Sequence, residues 1–174
     1  MKQKAWGVIL LSSALLLTGC TSNKEAKQET KDKVEQANHK EDNPEDLKVY
    51  QSVHSQYEDK INNEVNEAMK LWGNAKEESG KAMKLPKFKE DVQKLTDNTL
   101  ADIESVRKEI RVPKSKEREN ELYIGFLKES EQAVKKLNRL AKEEDSSLIR
   151  DIEVHLSTAV KYYDRFKKEE KSAK

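Results

Sequence analysis

The sequence predicts an all-α protein, an up-and-down antiparallel bundle of three or four helices behind a disordered N-terminal tether. Three observations carry this. Apolar residues recur three and four apart from Leu47 to Phe166, the spacing that lines one face of an α-helix. Only five glycines and three prolines occur in 174 residues, while the strong helix formers Glu and Lys dominate the polar positions. The chain is 39% charged and 34% hydrophobic, so its few apolar side chains make a core only if that spacing gathers them on one side of each helix.

The first twenty residues are of another kind. Lys2 and Lys4 precede an uncharged run from Ala5 to Leu17, in the order of a secretory signal. A spanning helix needs roughly 20 apolar residues, and this run stops short of that at Leu17-Thr18-Gly19-Cys20. These four residues resemble the lipobox of bacterial lipoproteins, in which the cysteine is acylated and the bond before it is cut. The resemblance implies a cleaved signal peptide over residues 1–19, a lipidated Cys20 and a membrane anchor on the extracytoplasmic face of the cell membrane. Cys20 is the only cysteine, so no disulfide can form within the chain. Six of the 34 basic residues are Arg, a Lys bias that points to an AT-rich, Gram-positive source.

From Thr21 to Asp42 nearly every residue is polar, and Val34 is the one large aliphatic. Such a stretch buries too little apolar surface to offset its ordering entropy, so residues 20–43 read as the lipidated cysteine and its tether.

Asn43-Pro44-Glu45-Asp46 opens the folded part, predicted over residues 44–168. Asn can cap, Pro suits the first helical position, and two acids meet the positive end of the helix dipole. The first seam follows through Leu47, Tyr50, His54 or Val53, Tyr57, Ile61, Val65, Ala68, Trp72 and Ala75, and Ser79-Gly80 mark its end. A second helix opens near Pro86 and carries Phe88, Val92, Leu95, Thr99 or Leu100, Ile103, Val106 and Ile110. Val112-Pro113 stops it, because the residue before proline is pushed out of the helical region. Ser115 is placed to cap a third helix carrying Leu122, Phe126, Ala133, Leu137 and Leu140. A lapse at residues 143–147, with Asp145, Ser146 and Ser147 as caps, separates a fourth helix with Leu148, Ile152, Leu156, Ala159, Tyr163 and Phe166. Residues 169–174 read as a frayed tail.

Setting aside Lys2 and Lys4, 32 basic residues face 33 acidic ones, so no bulk charge recruits nucleic acid. Nucleophilic catalysis would need a Ser or Cys paired with a His base, yet no Gly-x-Ser-x-Gly turn occurs and the one cysteine is assigned to lipid. No phosphate-cradling glycine pattern occurs, and His39, His54 and His155 lack the close spacing of zinc or di-iron ligands. Acid pairs such as Glu143-Glu144 fit a solvated helix surface. The reading is therefore of a non-enzyme without metal or cofactor.

Two groups stand out as candidate sites. Leu122-Tyr123-Ile124-Gly125-Phe126-Leu127 is apolar nearly all round its helix. It is either buried among neighbouring helices, with Gly125 permitting close approach, or a partner-binding patch using Tyr123 and Leu127 with off-seam Val112. Trp72, His54 and His155 fall on or beside their seams and are the candidates for a ligand or metal held in the bundle core. The domain is similar in general character to small Lys/Glu-rich helical lipoproteins of Gram-positive bacteria, including its Ile110-Arg111-Val112-Pro113 junction. That likeness carries no catalytic residues. The function expected is a non-catalytic interaction module that binds a protein or envelope component through a helical face. The alternative is a ligand- or metal-binding accessory lipoprotein using the bundle core.

Overall fold

Asn43 caps the first helix, as its sequence context predicts. In the computed structural model, which describes residues 42–172, the Asn43 Oδ1 accepts the Glu45 N–H at 3.0 Å, and helix α1 spans Pro44–Lys76. Helices α2 (Pro86–Glu109), α3 (Glu117–Glu143) and α4 (Leu148–Ser172) follow, with no strand among the described residues. The lipobox residues Leu17, Thr18, Gly19 and Cys20, the signal peptide and nearly all of the tether lie outside the described residues, as do the last two residues of the tail.

The bundle has four helices, because the chain breaks where the apolar pattern lapses. Glu144 takes the left-handed conformation at φ 54° and donates its N–H to the Leu140 carbonyl at 2.9 Å, which ends α3. The Asp145 Oδ1 then accepts the Ser147 N–H at 3.0 Å, and α4 starts at Leu148. Side-chain contacts fix the directions. His54 in the first half of α1 meets Tyr123 early in α3 and Phe166 late in α4, so α1 and α3 run one way and α4 the other. Tyr57 donates to Glu109 at the end of α2, which therefore also runs opposite to α1. Each helix packs on its sequence neighbours, α4 closes the ring against α1, and α1 also touches α3 across the middle.

Several boundaries differ from the sequence reading. Helix α1 ends at Lys76, and a 3-10 segment over Glu77–Lys84 holds Ser79 and Gly80, with Gly80 at φ 79°. Ser115 does not cap α3. It lies in a 3-10 turn over Lys114–Lys116 after extended Pro113, and its N–H donates to Asp42 Oδ1 at 3.1 Å, so α3 starts at Glu117 without a side-chain cap. The C-terminal helix keeps its geometry to Ser172, past the expected fraying point at 169, while Lys167 is bound to Glu58 of α1.

The core runs the length of the bundle through Ile61, Val65, Val92, Ile103, Phe126, Leu137, Leu140 and Ile152, all buried. Where the sequence left a choice, both Val53 and His54 are buried, and Thr99 turns inward instead of Leu100. Thr99 satisfies its hydroxyl on the Leu95 carbonyl at 2.9 Å. Leu71 is buried while Trp72 is only partly covered, because a straight helix drifts off a strict seven-residue repeat.

Tyr123 and Leu127 have no exposed surface, so of the two alternatives for this stretch burial among neighbouring helices holds and the use of these two residues as a partner-binding patch is corrected. The physical reason is the position of α3, which packs against all three other helices and so is covered on more than one face. Gly125 makes this possible on the α4 side, since a Cβ there would stand 2.5 Å from the Tyr162 ring. Val112 alone of that group reaches the surface, at 37% exposure in the α2–α3 turn.

Candidate functional site

Trp72, His54 and His155 do not form one pocket. Trp72 lies eighteen residues beyond His54 on α1, on the order of 27 Å along the axis at about 1.5 Å per residue. Its indole N–H donates to the Ile149 carbonyl at 3.0 Å, and Lys76 Nζ sits 4.9 Å from its ring centre. Trp72 is thus a latch between α1 and the first turn of α4. His155 Nδ1 pairs with Glu129 of α3 at 2.7 Å, eleven residues before the Phe166 that stacks on His54, or roughly 16 Å up α4. A ligand or metal site spanning the three residues is not assembled, because seam positions on one long helix are separated by its rise. Among the described residues, no group of three or more His, Cys, Asp or Glu side chains is placed to hold a metal ion.

What the fold does assemble is a cleft around His54 alone, at the end of the bundle where α1 and α3 begin and α4 finishes. The imidazole centre lies 4.3 Å from the rings of both Tyr50 and Tyr123, and Phe166 stacks on it at 5.3 Å with an interplanar angle of 18°. Only 8% of His54 is exposed, yet neither ring nitrogen has a hydrogen-bond partner. The nearest charge is Glu58, whose Oε2 stands 3.6 Å from Nδ1, one helical turn away. The hydroxyls of Tyr50 and Tyr123, both buried, are likewise without partners. Buried polar atoms left unpaired cost about 1–3 kcal/mol each, so three such side chains packed together form a concentrated departure from a satisfied core.

Tyr50, His54 and Phe166 form the apolar wall of a cleft of about 340 Å³. Glu58, Glu119, Glu170 and Lys116 supply its charge. The Glu58 Oε1 accepts from Tyr163 at 3.1 Å and from Lys167 at 2.7 Å, and Lys167 also pairs with Glu170. Lys116 donates to Glu119 at 2.7 Å. Burial pushes the Glu58 carboxyl up, but the nearby His54 ring and the bonds from Lys167 and Tyr163 outweigh it and hold the group below the usual carboxylate range. Burial, together with the neighbouring Glu58, pushes Tyr163 up to about 12. Burial and Glu119 push Tyr50 higher still, so it is a neutral phenol at any physiological pH. The cleft is lined by aromatic residues, three carboxylates and the Lys116 ammonium.

A second buried polar group lies further along α1, between it and α2. Lys60 donates to the Asp102 Oδ1 at 2.7 Å, while the Asp102 Oδ2 and the Glu64 Oε2 are buried without partners. Burial and the adjacent Asp102 charge raise Glu64 to about 7.

Neither carboxylate group was singled out from the sequence. Glu58 carries a readable signal, since it stands four residues after His54 and beside the seam position Tyr57. Asp102 likewise stands beside the seam position Ile103, and a charged residue at a seam edge needs a partner. Compared with protein-family models, curated proteins and solved structures, the chain matches none.

Proposed function

We propose that the chain is a membrane-anchored extracytoplasmic lipoprotein whose helical body is a non-catalytic binding module, with the His54 cleft as its binding site. The observation that carries the reading is the pair of buried, unpartnered side chains, Tyr50 and His54, that line a cleft open to solvent. A bound molecule completes their hydrogen bonding. Of the residues proposed for a helical interaction face, Tyr123 and Leu127 are core, so a small ligand in the cleft is favoured over a protein lying on that helix. The anchor rests on the lipobox resemblance of Leu17-Thr18-Gly19-Cys20. Asp42 enters at the same end of the bundle as the cleft, bound to Ser115 next to Lys116.

Two experiments test this reading. Cys20→Ala abolishes labelling by radioactive palmitate and leaves an uncleaved precursor; persistent labelling of that variant refutes the anchor. A thermal-shift screen of small metabolites against the full chain and its His54→Phe variant tests the site. Compounds that raise Tm in the first and not the second support the cleft, and a screen in which no compound separates the two overturns it.

A further inference from the structure

We infer that Glu64 of α1 and Asp102 of α2 share one proton, and that this proton makes the pair a pH-sensitive clasp between the two helices. Glu64 stands six residues beyond Glu58 on α1, so the clasp does not depend on what the His54 cleft binds.

The unpaired atoms carry the inference. Asp102 is 7% exposed, and its Oδ1 takes the Lys60 ammonium at 2.7 Å, which leaves Oδ2 buried with no donor. Glu64 reaches the same place from α1, within hydrogen-bonding range of Asp102, and its Oε2 is also buried with no donor. Two ionised carboxylates there are acceptors only, and they repel. A single proton turns one of the two oxygens into a donor and satisfies both at once.

The surroundings supply no other donor. On α1, Lys60 is already bound to Asp102, Tyr57 donates to Glu109, and Glu67 is paired with Lys70. On α2, Thr99 faces Glu64, but its hydroxyl proton goes to the Leu95 carbonyl. From α3 comes the Tyr123 phenol, which burial, with Glu58, Tyr163 and Asp102 adding to it, keeps neutral. From α4, Tyr163 and Lys167 are both spent on Glu58. One ammonium therefore faces two carboxyl groups.

Burial, and after it the Asp102 charge, raises Glu64 to about 7, so the proton is held at acid pH and leaves as pH rises through that value. Once it leaves, like charges meet across the seam. Asp102 is buried and tied to Lys60, whereas Glu64 is only half-buried, so Glu64 is the side that swings outward. The clasp is closed below neutrality and open above it.

The test uses the full-length chain labelled with carbon-13, following the side-chain carboxyl signals of Glu64 and Asp102 by NMR across the pH range. Glu64 is expected to titrate near 7, with the Asp102 signal moving at the same midpoint. In Asp102→Asn, folded as judged by circular dichroism, the Glu64 midpoint should fall toward the ordinary carboxylate range, because the like charge is gone and Lys60 is released. A midpoint that stays high in that variant means burial alone raises Glu64, and it overturns the shared proton. A Glu64 midpoint already in the ordinary range in the native chain overturns it as well. Amide hydrogen exchange, corrected for its intrinsic pH dependence, reads the clasp itself. Protection over residues 60–68 and 98–106 should drop by about threefold between pH 6 and pH 8 in the native chain. Glu64→Gln puts a permanent amide donor where the proton stood, so its protection should be equal at both pH values. No drop in the native chain, or the same drop in Glu64→Gln, overturns the clasp.

Discussion

The two ends of the bundle are built from similar helices and differ in how they are closed. At the end holding the α3–α4 turn, Ala75, Met83, Phe88, Leu140 and Ala141 are buried together with Leu148, and the Trp72 indole finds its acceptor on Ile149. At the other end the aromatic residues are as deeply buried, but Tyr50, His54 and Tyr123 leave their polar atoms unpaired beside a cleft. The difference teaches where binding capacity is stored. The closed end leaves the Asn138 Oδ1 unpaired, while the cleft end leaves the polar atoms of Tyr50, His54 and Tyr123 unpaired side by side, so the contrast is one of concentration.

The largest effect is expected from breaking the closed end. Leu137→Ala removes a fully buried side chain of α3 and should cost about 3 kcal/mol, read as a lower urea midpoint with unchanged slope. At the cleft, Glu58→Ala removes the shared acceptor of Tyr163 and Lys167 and should cost about 2 kcal/mol, less than an enclosed ion pair because Lys167 is partly exposed. The loss should shrink at acid pH. Glu58 has a folded-state pKa below its unfolded value, so its contribution is present above the ordinary carboxyl range and disappears as pH falls through the folded value.

Glu64, six residues on, carries the opposite sign. Its folded-state pKa of about 7 lies above the unfolded value, so the folded chain holds a proton that the unfolded chain has released, and stability falls as pH rises from about 4.5 to 7. After allowance for solvent screening, Glu64→Gln should stabilise by about 1 kcal/mol at pH 8 and by almost nothing at pH 4, measured as urea midpoints at the two pH values. A variant that gains equally at both would show that Glu64 and Asp102 do not interact as their burial requires. The smallest effect is expected from Tyr50→Phe, which deletes an unpaired buried hydroxyl and should raise stability by about 0.5 kcal/mol in a thermal melt. A loss above 1 kcal/mol there would place a partner on that hydroxyl and erase the contrast between the ends.

Much of the fold was legible along the chain. The Asn43-Pro44 start, the stop before Pro113 and the break near Asp145 all involve groups within a few residues of each other, so local rules decide them. Ser115 misled because it lies inside the 3-10 turn over Lys114–Lys116, one residue before the N-cap position, and is bound there to Asp42, seventy-three residues away, which no local rule can see. The candidate site was half legible. His54 stood out as a histidine on a seam, but Trp72 and His155 were grouped with it because they too fall on or beside their seams. Their separation follows only from the helix directions and the rise along α1 and α4.

The sequence by itself determined the helical class and most of the residues that face inward, because amphipathic spacing and end signals are properties of a single segment; that the helices number four and not three was decided by the structure. Tertiary structure alone decided which inward-facing residues meet. Tyr123 and Leu127 became core because α3 is enclosed by three neighbours, and Gly125 lets the Tyr162 ring press against it. Beside the cleft, Tyr50, His54, Tyr123 and Phe166 converge from three helices. Convergence of distant side chains depends on how helices register against one another, and that is settled by packing across the bundle and not by the pattern along any one helix.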